Sequence, residues 1–589
     1  MSQSIGKLSH FWRELKRRKV LRSLAIYAGT AFIILEAATI IFPRWNLPDW
    51  TIDLVLWLLV LGAVINVFVA WFFDITPQGL QKTKPVEEVS VSETQTDSKA
   101  WRVATYLSLL VIIGLITLNI VRNPNSLHAG DIQSLVILPF ENYTGDEKFD
   151  NMVASMHSLL IGDMGRISGL RVIGKTSSGT YKGIDKTAPE IASELEVDAV
   201  VEATVTCLGD SICMQFRLVN TVGKEEQLWV ADYREDKGQI LNLYNRVTRQ
   251  IADEVMVKLT SKEDLLLDEN RMADRDAVDA FLKGYTYLED LHPEALYKAL
   301  DFLNEAVEKD PEWAPPYAGL TLIWGALAQM SAVTPEVAGP HIFSNLNKAL
   351  ELDPNLHETQ FIMAGMSVWQ EWNWEKAEEA FLNAIAVNPN DEMSRIYYSH
   401  LLVFLNRPDE AFIQGQLAVK LDPKNALIQA LFAPVVCEVL GWEAGYQQVE
   451  TALELDPDNY FAINFLDQFA INVGEYDRAM EGLMYFLPFS DEIKDEIKGI
   501  YAEQGIYDAY GVVLDQLENN HVLGPGDMAM RYALVKKYEK ALEAIEKAYE
   551  IRDPNLPYLT TKFSCFQPLY KDPRFIAVVE KMGLTIPEH

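Results

Sequence analysis

The sequence predicts an α-rich chain of several domains: three transmembrane helices, a small α/β domain with a mixed sheet, and a C-terminal α-solenoid. Three observations carry this. Three apolar stretches, each long enough to cross a bilayer as a helix, precede residue 122. Between 131 and 260, apolar runs of strand length alternate with helical spacings. Beyond 270 a refrain, Lys348-Ala349-Leu350-Glu351-Leu352-Asp353-Pro354, returns with its prolines at 389, 423 and 457, which are 35, 34 and 34 residues apart. A fixed period of about 34 residues belongs to stacked helical hairpins.

Composition sets the outer limits. The 589 residues are 49% hydrophobic, too apolar for a largely disordered chain. The net charge of −33 is unevenly spread: residues 1–130 hold 13 basic and 9 acidic side chains, and 131–589 hold 38 basic and 75 acidic. So acidic a surface repels phosphate backbones, which disfavours a nucleic-acid partner. Four cysteines are too few for a disulfide-built scaffold.

The first element is a basic amphipathic N-terminus, residues 1–22, with seven Lys and Arg between Lys7 and Arg22. The predicted membrane domain, 23–122, follows with spans at 23–42, 52–73 and 103–121 and a linker at 76–100. Trp45, Trp50, Trp71 and Trp101 stand at span ends, as an interfacial aromatic belt requires. Only Arg44 lies between spans one and two, whereas Lys82, Lys84, Lys99 and Arg102 lie between two and three. The positive-inside rule then predicts a cytoplasmic N-terminus and linker and an external C-terminal region. Glu36, Asn66 and Asn119 fall within the spans; with no second acid or base to relay a proton, no transporter is implied.

In 131–260, the run Ser134-Leu135-Val136-Ile137-Leu138 reads as a buried strand, and 150–167 as a helix by the spacing of Met152, Met156, Leu160 and Met164. A strand at 170–173 and a helix at 188–195 follow. Residues 199–207 and 212–219 alternate around Gly209-Asp210-Ser211 as a hairpin, and a last strand at 227–233 precedes a helix at 240–259. Cys207 and Cys213 flank the hairpin turn symmetrically, so in an oxidising compartment they would bridge across the strands; otherwise they are two buried thiols. The letters Gly169-Leu170-Arg171-Val172-Ile173-Gly174-Lys175-Thr176 fit a phosphate-binding loop, which must open a helix. Here the intervening residues are a strand and Ser177-Ser178-Gly179-Thr180 does not read as a helix start, so nucleotide hydrolysis at Lys175 ranks last among the functional readings.

Several segments of this domain occur in a familiar order: Leu138-Pro139-Phe140 with Asn142, Gly169 to Ile173, Thr176-Ser177-Ser178, Tyr181-Lys182-Gly183, Ile191-Ala192 with Glu194-Leu195, and Leu228-Trp229. Together they resemble the TolB amino-terminal-like domain of bacterial envelope proteins. The family often starts its first helix with Asp-Gly-Ile or similar, where this chain has Asn151-Met152-Val153, so a shared ligand there does not carry over.

In 270–560, the unit ending at Pro389 sets small residues Gly365 and Ala377 where two helices approach, continues with Phe381 and Ala384, and closes on the proline. Ala411, Ala418 and Pro423, then Gly445, Ala452 and Pro457, keep the pattern, and Ala299, Ala306 and Pro311 precede it. One unit is stretched to 43 residues by an insertion at 334–340, and the pattern weakens between 460 and 525. These positions resemble the tetratricopeptide repeat and imply seven or eight units. Such arrays present a concave face, on which Met366, Trp369, His400, Val403 and Phe404 would bind a partner; the alternative is that this apolar stripe is core. Residues 561–589, with Phe566, Pro568, Leu569, Asp572-Pro573 and Phe575, resemble a recurring C-terminal cap of bacterial repeat proteins, and Trp71-Phe72 to Gly79 resembles their membrane anchors.

No metal motif or nucleophile elbow appears, so no cofactor and no enzyme activity are expected. The expected function is a non-catalytic scaffold in the bacterial inner membrane, multi-pass, with the array on the periplasmic side and protein or peptide partners; a homo-oligomer is left open. The alternative is a transmembrane sensor related to the sensory halves of adenylate cyclases or winged-helix regulators, to which this architecture is often fused.

Overall fold

The computed structural model describes residues 132–587 apart from 222–224, 268–272, 289–292, 330–331, 355, 486–489 and 521–522, together with Leu59, 73–76 and 79–82. Among these residues no helix is long and apolar enough to cross a membrane. That finding corrects the fold class with three transmembrane helices and the multi-pass inner-membrane placement. The stretches 23–42, 52–73 and 103–121 themselves, with Glu36, Asn66 and Asn119, lie outside the described residues apart from Leu59 and Phe73. Around the predicted end of the second span the chain is extended instead: β1 (Phe73–Thr76) pairs antiparallel with β2 (Gly79–Lys82), Phe73 opposite Lys82. This hairpin belongs to a compact unit of residues 1–122, separate from 123–589.

The second unit begins with the α/β domain. Its elements are β3 (Ser134–Ile137), β4 (Glu141–Asn142), α1 (Asp150–Met164), β5 (Arg171–Val172), α2 (Lys175–Gly179), α3 (Ala188–Leu195), β6 (Ala199–Leu208), β7 (Ser211–Asn220), β8 (Glu226–Asp236), α4 (Ile240–Glu254) and α5 (Ser261–Leu266). The strands run β5-β3-β6-β7-β8, with β4 also beside β6. Pairs β5/β3 and β3/β6 are parallel, and β6/β7 and β7/β8 antiparallel, so the sheet is mixed. Alternation decides the layers: Leu135, Ile137, Phe216 and Leu218 point towards α1 and α4, whereas Val136, Val200 and Val219 share the opposite core with Ile191 and Leu195 of α3. A capping box at Thr187 and Glu190 starts α3, closing two free amides at once. Cys207 and Cys213 sit in register on β6 and β7 and are disulfide-bonded.

The array follows as helical hairpins, eight among the described residues. They are α6 (Arg275–Leu288) with α7 (Pro293–Lys309), α8 (Ala314–Gln329) with α9 (Pro335–Leu352), α10 (His357–Met366) with α11 (Trp374–Val387), and α12 (Glu392–Phe404) with α13 (Pro408–Leu421). Then come α14 (Ala426–Leu440) with α15 (Trp442–Leu455), α16 (Tyr460–Val473) with α17 (Tyr476–Tyr485), α18 (Asp491–Gln504) with α19 (Ile506–Asn520), and α20 (Pro525–Leu534) with α21 (Tyr538–Ile551), before a final α22 (Pro573–Lys581). The refrain works through its proline. The preceding residue is driven out of the helical region: Asp353, Asn388 and Asp456 are extended, with φ of −146°, −129° and −147°, and Asp422 leaves the helix with φ −136° and ψ 72°. The second helices of these four units therefore stop at the same point. The insertion at 334–340 is helical and lengthens α9 at its N-terminus.

The first hairpins share the core of the α/β domain: Leu296, Leu303 and Trp313 belong to one buried cluster with α1 and the sheet. The later ones close on themselves. The Arg552 guanidinium lies 5.1 Å over the Trp372 ring and donates to the Gln370 carbonyl at 2.8 Å, and Trp374 Nε1 donates to the Met582 carbonyl at 2.7 Å. The chain from α10 to α22 is thus a closed turn of solenoid.

Candidate functional site

Two places in this architecture bring chemistry-bearing side chains together. One is the phosphate-loop-like segment. Correcting the sequence expectation, residues 175–179 do form a short helix, α2, after β5. Its start is already occupied: Asp422 Oδ1 accepts from the Ser177 amide at 2.7 Å, and the Gly174 amide donates to the Leu421 carbonyl at 2.7 Å. A Cβ on Gly174 would meet Asp422 Cγ at 2.7 Å, so the carboxylate fills the space a phosphate would need. Beside it Lys424 donates from Nζ to the Tyr181 hydroxyl at 2.7 Å. Asn390, one unit earlier, donates from Nδ2 to the carbonyls of Gly165, Ile167 and Leu170 at 3.0, 3.1 and 2.9 Å and accepts from the Val172 amide at 3.0 Å. The refrain's loops are therefore the seam that holds the α/β domain.

The other place is the concave face. Residues 553–572 leave α21 and run across α12, α14 and α16 through two short 3-10 turns, Leu556–Thr560 and Gln567–Leu569. His400 is buried; its Nε2 lies 2.7 Å from the Leu431 carbonyl, which can only accept, so Nε2 carries the proton and Nδ1 accepts from the Tyr558 hydroxyl at 2.6 Å. Burial pushes this imidazole down to about 4, keeping it neutral. Phe404 meets the Tyr558 ring edge-on at 4.7 Å. Phe563 packs on Phe465 and Phe469 at 5.1 and 5.4 Å, and Gln468 Nε2 donates to its carbonyl at 2.7 Å. The Glu438 carboxylate accepts from the amides of Lys562 and of Phe563, the latter at 3.3 Å, and burial raises it to about 7.

Next to this segment lies an open cavity of about 1000 Å³, whose walls include Val403, Trp442, Asn472, Tyr507, Cys565 and Tyr570. Of the five residues predicted for partner binding, His400 and Phe404 hold the 553–572 segment and Val403 lines the cavity. Trp369 is half-buried, edge-on to Tyr397 at 5.2 Å. Met366 departs from the expectation: it is buried among Ala338, Ile342 and Leu346 of α9. Glu438, Gln468 and the segment itself were not foreseen; the sequence signal for the first two is a polar side chain inside an otherwise apolar helix. Among the described residues no group of His, Cys, Asp and Glu is placed to hold a metal ion.

No family model matches the chain. A curated protein named putative adenylate cyclase 3, from Rhizobium meliloti (strain 1021), is 28% identical over 222 residues, which are 37% of this chain and 36% of that protein. The chain therefore spans little more than a third of that relative's length. Among solved structures, PilF of Pseudomonas aeruginosa matches at 17% identity over 38% of this chain and 98% of its own, with a TM-score of 0.29. TTC0263, a tetratricopeptide repeat protein of Thermus thermophilus, matches at 15% over 33% and 98%, with a TM-score of 0.27. At such scores the tetratricopeptide-like character of the array rests on its own period and its own hairpins.

Proposed function

We propose that the chain is a non-catalytic interaction scaffold whose array takes peptide segments of protein partners. One observation supports this reading: the concave face carries side chains that hold a non-helical stretch of polypeptide, the chain's own residues 553–572. His400, Glu438 and Gln468 reach the segment through one phenolic hydroxyl, two amides and a carbonyl, and aromatic rings hold its side chains. Backbone-directed bonds supply affinity and side-chain pockets supply selectivity. The α/β domain, with its resemblance to the TolB amino-terminal-like domain, acts as a brace that fixes the array through the refrain loops. The test is photo-crosslinking in the producing cell from probes placed at Asn472 and Val403. Recovered partners that disappear on mutation of the groove are expected; crosslinks indifferent to the groove would sink the reading.

The relative named as a putative adenylate cyclase favours a second reading, in which the shared part is a regulatory module. Incubating the full chain with ATP and a divalent cation separates this from catalysis: formation of a cyclic nucleotide would refute a non-catalytic protein.

A further inference from the structure

His357 opens α10 with its side chain only 13% exposed, between the end of α11 and the start of α12. Its Nδ1 lies 3.2 Å from the Ala384 carbonyl in the last turn of α11, and its Nε2 lies 3.2 Å from Oδ1 of Asp391, the N-cap of α12. A carbonyl and a carboxylate only accept, so each ring nitrogen must bring a proton. A neutral imidazole would turn a lone pair towards one of them. The geometry is therefore that of an imidazolium. Ala384 belongs to the negative end of α11, and Asp391 stands at the positive end of α12, so both ends favour the pair. The first turn of α10 disfavours a cation, and Glu358 in the same turn offsets this. Glu392 and Arg395 of α12 bear on Asp391, while Asp163 of α1 bears on Glu358 and pairs with Arg166 at 3.5 Å. Burial works against the charge on His357, but Asp391, Glu358 and the Ala384 carbonyl outweigh it and hold the ring above its ordinary value of 6.5.

We propose that His357 and Asp391 form a proton-operated latch on the loop 388–391, and through it on the seam between the array and the α/β domain. Asp391 ends the same loop that carries Asn388 and Asn390. Asn390 bonds to the main chain of residues 165–172, and Asn388 Nδ2 donates to the Gly162 carbonyl at 3.5 Å. A Cβ on Gly165 would meet Asn388 Oδ1 at 2.6 Å, so the loop presses directly on the end of α1. With the ring charged, α10, α11 and α12 are tied at one point and the loop between the last two is held. A ring that has lost one proton can serve Ala384 or Asp391 but not both, and the loop gains freedom. Because the folded ring binds its proton more tightly than an ordinary imidazole, the latch contributes fully below pH 6.5 and is lost as the pH rises through the raised value. Its acid limit is set by Asp391: burial raises this carboxyl, but His357 and Ser394 outweigh burial and leave it below the ordinary 3.8. The seam is thus tightest in mild acid and loosens in alkali. The latch is independent of what the array binds.

Hydrogen exchange of the full chain between about pH 6 and pH 10, corrected for the intrinsic pH dependence of exchange, tests the latch. It is read at the Val172 and Asn390 amides, which donate to Asn390 Oδ1 and to the Gly165 carbonyl. In the parent the corrected rates should rise about tenfold or more in a step centred above 6.5, the loss of one charge-assisted hydrogen bond. His357→Gln keeps a donor but cannot take up a proton, so its rates should be flat over the same range. Asp391→Asn removes the charge that holds the proton and should move the step to lower pH. A parent without the step overturns the proposal, and so does a step that survives unchanged in folded His357→Gln. Should that variant fail to fold, nitrogen NMR of the histidine-labelled parent decides: one histidine with slowly exchanging protons on both ring nitrogens at about pH 7 is expected, and its absence overturns the latch.

Discussion

Two of the surfaces on which the array meets other parts of its own chain, the seam of the refrain loops and the groove, differ in the balance of their materials. The seam with the α/β domain is polar and directed at backbone: Asn390 alone makes four hydrogen bonds to main-chain groups, and Asp422 closes the start of α2. The groove is aromatic, with Tyr558 and Phe563 seated on Phe404, Phe465 and Phe469. Hydrogen bonds of fixed geometry hold one orientation, whereas ring contacts draw their strength from buried apolar area with a preferred angle between the rings. The seam thus fixes a brace, and the groove is filled by buried rings of the C-terminal segment.

The largest effect should come from the groove. Phe563→Ala removes a buried ring and leaves a void among Phe465, Phe469 and Tyr558, which should cost about 3–5 kcal/mol of the unfolding free energy of the array. Denaturant unfolding followed by tryptophan fluorescence measures it; a loss below about 1 kcal/mol would mean that the segment is not seated there in solution. Next comes the seam. Asn390→Ala removes a partner from three carbonyls and one amide, of which the Gly165 and Ile167 carbonyls keep a backbone donor, and at about 1 kcal/mol for each net bond it should cost about 2–4 kcal/mol. Exchange protection should fall in β5 and α2 but not in α16. An equal fall in both would show the two surfaces to be one cooperative unit, and the comparison above would collapse.

How much of this was legible in the sequence differs between the same two regions. The refrain announces its own period because four successive units stop the second helix with Asp or Asn before proline, and a non-helical residue before proline is a local rule. The mixed sheet was legible for a similar reason, since alternation along β6 and β7 is written in consecutive residues. What Asn390 and Asp422 do was not legible, because their partners lie more than 200 positions away. The helix at 175–179 is too short to show a hydrophobic period. Met366 was misplaced because the insertion at 334–340 lengthens α9, which then covers it with Ile342 and Leu346. Tyr558, Phe563 and Phe566 have no period at all, so nothing in the sequence shows where the segment seats.

A smaller effect tests the spacing of the hairpins that frame the groove. Gly415 of α13 faces the Phe432 ring of α14 so closely that a Cβ would collide with it. Gly415→Ala adds helix propensity but forces that ring to move, and overpacking should win by about 1–2 kcal/mol. Thermal unfolding of the variant decides the sign. A more stable variant would mean that α13 and α14 have room to separate and that the groove is wider than its rings imply.

The smallest effect is electrostatic, and it bears on the groove alone. Glu438 is raised from an ordinary value of 4.5 to about 7 by burial, against the opposing pull of the two amides and of Lys562. Cys437 and Tyr570 face the same carboxyl, and burial holds each of them in its neutral form. When the segment leaves, water reaches Glu438 and its affinity for a proton falls back towards the ordinary value. Seating the segment is therefore coupled to proton uptake at pH values between these two limits. The seated state is favoured at the acid end, weakens as the pH rises to about 7, and no longer changes with pH above that. Between about pH 6 and pH 8 the change should be of the order of 1 kcal/mol. Exchange rates of the Lys562 and Phe563 amides, corrected for the intrinsic pH dependence of exchange, should rise accordingly. Glu438→Gln keeps an oxygen that accepts the same amides but cannot ionise, so its corrected rates should be flat. A pH dependence that survives in that variant would assign the titration to another group and leave Glu438 with a purely geometric part in holding the segment.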